Sequence, residues 1–120
     1  DPLADHPFPL LLAATPFAPP PPDGVDRAEL REMVRRGIVV EQDGLFFAAS
    51  AIEAAAALAA RLLVDSPDGF TVSAFREAAG NTRKHAMPLL ARLDGTGMTR
   101  RRDDVRIAGP RLRQVDDDPA

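Results

Sequence analysis

The chain has 120 residues, 45% of them apolar and 28% charged, and a net charge of −3. That is enough chain for one ordinary domain or two very small ones, and enough apolar material to bury a core, which excludes wholesale disorder. The absence of cysteine excludes disulfides and cysteine-ligated zinc, and the two histidines, His6 and His85, lie far apart in the sequence.

The first element is a short apolar run, Pro9 to Ala14, read as one helix, and the proline-rich "TPFAPPPPDG" that follows cannot be helical. Asp26 and Glu29 have capping-box spacing and open the helix "DRAELREMVRRG", which Gly37 ends. Its apolar residues Leu30, Met33 and Val34 fall at helical spacing. "IVVEQDGLFF" reads as a hairpin, with β-branched Ile38 to Val40, a turn at Asp43-Gly44 and a return through Leu45 to Phe47. Ser50 and Glu53 suggest a second capping box, opening the alanine-rich helix "AIEAAAALAARLL".

A helix–hairpin order then recurs. Asp68-Gly69 marks a turn, Thr71 is an N-cap, and "VSAFREAA" is a short helix closed by Gly80. Asn81 or Thr82 caps a second helix from Arg83 to about Leu93, "DGTG" stops it, and Met98 to Ala108 reads as a two-stranded ribbon. Helix, tight turn, helix and hairpin is the order of a helix-turn-helix with a wing. The expected fold is therefore α+β, mainly α with small β-hairpins, in two tandem winged-helix domains at residues 1–65 and 66–115 with an acidic tail at 116–120.

Charge divides the same way. Residues 1–65 carry five Arg against ten acids, whereas residues 66–115 carry nine Arg and one Lys against five acids. A basic half joined to an acidic half points to a polyanionic partner for the basic one. In the second helix, Ala86, Leu89, Leu90 and Leu93 form the core stripe, expected to pack on Val72, Phe75, Val105 and Ile107. Lys84, Pro88 and Ala91 are expected opposite it, exposed, with Pro88 bending the helix. Arg83 and Lys84 sit at the helix N-terminus, where positive charge opposes the helix dipole and does nothing for local stability. The wing adds Arg100, Arg101, Arg102 and Arg106, more cations than Asp103 and Asp104 can offset. Such a footprint suits phosphates, and its compactness suits an RNA stem-loop better than base reading along a whole helix.

The stretch "GFTVSAFREAAGNTRKHAMPLLARLDGTGMTRRRDDVRI" resembles the last winged-helix domain of the bacterial selenocysteine-specific elongation factors, the SelB family. That family's pattern "T-V-x-x-F-R", "T-[ST]-R-K-Y-A-x-x-L-L-x-x-x-D" and "G-x-T-R-R-x-G-D-x-R" is met by Thr71, Val72, Phe75, Arg76, Thr82, Arg83, Lys84, Ala86, Leu89, Leu90, Asp94, Gly97, Thr99, Arg100, Arg101, Asp104 and Arg106. His85 replaces the usual Tyr, and Asp103 the usual Gly of the wing turn. The earlier "ELREMVRRGIVVEQDGLFFA" is similar to the penultimate winged helix.

The resemblance implies an mRNA-binding role: gripping the selenocysteine insertion hairpin beside an in-frame UGA, in a protein whose GTPase part delivers selenocysteyl-tRNA to the ribosome. Thr82, Arg83, Lys84, His85, Arg100, Arg101, Arg102 and Arg106 are the expected RNA contacts, with Arg76 instead pairing within the fold with Asp104. Without a "GxxxxGK[ST]" loop the chain is expected to bind no GTP and to be no enzyme, needing no cofactor or metal. Starting at Asp1, it reads as a piece of a longer protein, cytoplasmic, monomeric and without a membrane partner, reaching the ribosome through the rest of that protein. The acidic first unit is read as a spacer that does not touch RNA. A DNA-binding winged-helix regulator and a protein-interaction winged helix are the alternatives.

Overall fold

A computed structural model describes residue 3 and residues 5–112, so the tail at 116–120 lies outside the described residues. Helix α1 spans Pro7–Ala14, two residues longer than the sequence suggested, because His6 Nδ1 caps it by accepting from the Phe8 amide at 3.0 Å. Helix α2, Arg27–Arg35, is capped by Asp26, whose carboxylate accepts from the Glu29 amide at 3.0 Å. Strands β1, Val39–Gln42, and β2, Leu45–Ala48, form an antiparallel hairpin with positive φ at both Asp43 and Gly44, the pair that a tight two-residue turn needs.

Helix α3, Ala49–Asp65, follows β2 directly. The expected Ser50–Glu53 cap is not formed. The cap position is Ala48, without a side-chain bond, so Ser50 already lies in the first turn. Strand β3, Phe70–Thr71, leads into α4, Val72–Ala79, with Thr71 Oγ1 accepting from the Ala74 amide at 3.1 Å. Gly80 closes α4 at φ 68, a left-handed conformation that only glycine adopts without steric cost. Helix α5, Arg83–Gly95, is followed by β4, Thr99–Arg102, and β5, Val105–Ala108. β3 adds to the far side of β5, giving the three-stranded order β3-β5-β4.

One cluster of buried side chains runs from Phe8, Leu12 and Met33 through Val39, Phe47 and the α3 alanines to Phe75, Leu89, Leu90 and Leu93. The small faces of Ala51, Ala55 and Ala59 let α3 lie close to its neighbours, and it contacts α1, β2, α4 and α5. The proline-rich connector is tied to the second half where Asn81 Nδ2 donates to the Phe17 carbonyl at 2.9 Å.

Two packing expectations need correction. Pro88 is buried, not exposed, and α5 runs unbroken through it. Val105 and Ile107 are only half-buried and lie outside the core cluster; the buried side chain of β5 is Arg106. The reason is strand parity, since Arg106 falls on the inward face and its two neighbours on the other.

Candidate nucleic-acid interface

Tight junctions hold the wing against α5. Gly80 ends α4, and Thr82 starts α5 two residues on, which brings the α5 N-terminus beside the end of α4. Thr82 makes no side-chain cap bond, and no described residue accepts from the Arg83 or Lys84 amides. A helix start with free amides attracts anions. Beneath the wing, Asp94 Oδ1 accepts from Thr99 Oγ1 at 2.6 Å, and Asp94 Oδ2 pairs with Arg106 Nη2 at 3.0 Å. These bonds fasten β4 and β5 to the C-terminal turn of α5.

Register then decides where each arginine points. Arg101 sits directly across from Arg106, Arg100 across from Ile107, and Arg102 across from Val105. In an antiparallel pair, opposed residues share a face, so Arg101 lies on the Arg106 side while Arg100 and Arg102 lie on the other. Arg101 is further steadied by donating from Nε to the Asp103 carbonyl at 3.0 Å.

Between the wing and the start of α5 lies a groove of about 290 Å³ lined by Ser73, Arg83, Met87, Arg101, Asp104 and Arg106, among others. It continues past Ser73 and Arg83 into a second hollow of about 360 Å³ that adds Arg76 and Thr82. The structure thus brings Thr82, Arg83, Arg101 and Arg106 together. Lys84, Arg100 and Arg102 are exposed but line neither hollow, and half-buried His85 does not either.

Arg106 differs from the other cations. Only 6% exposed and ion-paired, it presents an edge to the groove while its charge is answered by Asp94. The expected Arg76–Asp104 pair does not form, for the acid that ties the wing down is Asp94. Arg76, Arg83, Lys84, Arg100, Arg101 and Arg102 make no ion pair among the described residues, so their charges face solvent. Sequence reading missed Ser73 and Met87 as lining residues; Ser73, in the first turn after a Thr cap, carried the available hint.

Among the described residues no helix is long and apolar enough to cross a membrane, and no group of His, Asp and Glu could hold a metal ion.

Residues 62–108 match the family described as the winged helix of elongation factor SelB. The fold is similar to the mRNA-binding domain of elongation factor SelB from E. coli, solved in complex with SECIS RNA, at TM-score 0.61 and 26% identity over 69% of each chain. It is also similar to a bacterial selenocysteine-specific elongation factor, EF-Sec, at TM-score 0.59 and 23% identity; this match covers 72% of the present chain but 14% of that one. A comparison with curated proteins finds no match. Fold, wing and family match agree in likening residues 62–108 to the winged helix of elongation factor SelB.

Proposed function

We propose that the chain is the RNA-anchoring part of a selenocysteine-specific elongation factor, holding the selenocysteine insertion hairpin of an mRNA. The observation that carries this reading is the groove between the α5 start and the wing, where Arg83 and Arg101 stand unpaired beside free helix amides. Phosphates of a hairpin loop fit such a groove, since cations and amides converge on one small area. Arg83, Arg101 and the Thr82 hydroxyl make the inner contacts, and Lys84, His85, Arg100 and Arg102 reach flanking phosphates from the outer faces. Arg106 acts chiefly as the support that sets the wing angle.

On this reading the first unit, residues 1–65, is a spacer between the hairpin and the rest of a longer protein. GTP and aminoacyl-tRNA then belong to that remainder, and the chain works in the cytoplasm as a monomer without catalysing a reaction.

The test is direct binding to a small RNA hairpin with a bulge and a short loop, beside the same sequence as duplex DNA. The hairpin should bind at least tenfold more tightly at equal salt. Equal affinity would favour a DNA regulator and sink the selenocysteine reading.

A further inference from the structure

The acidic first half carries an arginine-rimmed apolar groove that the hairpin-binding reading does not use. It lies between α2 and the β1–β2 hairpin, encloses about 460 Å³, and is lined by Arg27, Leu30, Arg31, Val34, Arg35, Glu41 and Phe46. Leu30, Val34 and Phe46 are all half-buried and form an apolar floor. Arg27, Arg31 and Arg35 recur every four residues, which places them along one helix face about 6 Å apart in axial rise. Arg35 is engaged by Glu32, but Arg27 and Arg31 are exposed and make no ion pair among the described residues.

We propose that this groove docks an acidic amphipathic helix of a partner protein. Its apolar side chains would seat on Leu30, Val34 and Phe46, and carboxylates at the same four-residue spacing would meet Arg27 and Arg31. Charge complementarity selects the occupant, because helix-borne acids repeat at the same axial interval as the arginines. A nucleic-acid strand fits less well. The floor is apolar, and Leu30, Val34 and Phe46 offer a phosphate backbone no partner there.

The test uses the full 120-residue chain and a fluorescein-labelled synthetic helix with leucines on one face and glutamates at four-residue spacing beside them. Saturable binding is expected, weakened at least tenfold by Arg27→Glu combined with Arg31→Glu. Both sites are exposed, so the variant should keep its circular dichroism and its hairpin-RNA affinity. Backbone shift changes in the unmodified chain should centre on Leu30, Val34 and Phe46. No binding, equal binding of a scrambled peptide of the same composition, or displacement of the peptide by oligouridylate would each overturn the proposal. Because the hairpin assay is read separately, failure here leaves the RNA reading standing, and the reverse.

Discussion

Asp94 in the last turn of α5 is ion-paired with Arg106 of β5 at 3.0 Å, and the Arg106 side chain is only 7% exposed. Arg106, expected from the sequence as a phosphate ligand, is within the fold the pin between α5 and the wing. Removing Asp94 would strand a buried guanidinium and also orphan the Thr99 hydroxyl. Breaking a buried pair from one side costs about 3–5 kcal/mol, and Asp94→Ala should fall near the lower end because Asp94 itself is 26% exposed. Urea unfolding checks this; Arg102→Ala, on the exposed outer face, should stay within about 0.5 kcal/mol of the parent chain.

Salt dependence separates the inner arginine from the pin. Each phosphate contact contributes about one unit of slope in log affinity against log salt, and a compact grip of about three to five contacts sets the total. Arg101→Ala should lower the hairpin-binding slope by about one unit without changing stability, since among the described residues its side chain bonds just to the Asp103 carbonyl. An unchanged slope would remove Arg101 from the interface. Arg106→Lys should behave differently: it keeps the charge but loses the second donor to Asp94, so stability falls more than slope.

The contrast between these two arginines shows what could be read from the chain. The α5 core stripe was legible because Ala86, Leu89, Leu90 and Leu93 repeat with the helical period, and all four are buried. The parity of the wing was not. Which arginine turns inward depends on the register Arg101↔Arg106 and on an acid twelve residues away, and neither leaves a local pattern. β3 escaped because two residues, Phe70–Thr71, carry no alternation to detect. The cap at Ser50 was misplaced because β2 runs into α3 with no loop between them. Asp103 at the wing turn has a φ of 57, a left-handed conformation that aspartate tolerates better than most residues and that no local pattern announced.

Pro88 offers a stability test in which two known effects compete. A proline inside a helix costs about 3 kcal/mol relative to alanine, through the missing bond to the Lys84 carbonyl and the ring clash. Its ring is buried, so Pro88→Ala also gives up two apolar carbons at about 0.8 kcal/mol each. The difference favours alanine, and the variant should be more stable by about 1 kcal/mol. Thermal unfolding reads this; a loss of stability would mean that packing around the ring outweighs the helix term.

Glu32 tests the electrostatics of α2. Hydrogen bonds from Arg35 and Arg36 lower its pKa from the ordinary glutamate value of 4.5 to about 2. The folded state therefore favours the ionised form, so its stabilising contribution is complete above about pH 4.5 and disappears as pH falls towards 2. The group is exposed, so the effect belongs to the acid limb alone and shrinks with added salt. A carboxyl NMR titration should find Glu32 still ionised at pH 3.5, a full unit below the ordinary glutamate value of 4.5. Glu32→Gln should flatten stability between pH 4.5 and 2 and free Arg35, which tightens the acidic-helix docking proposed for the α2 groove.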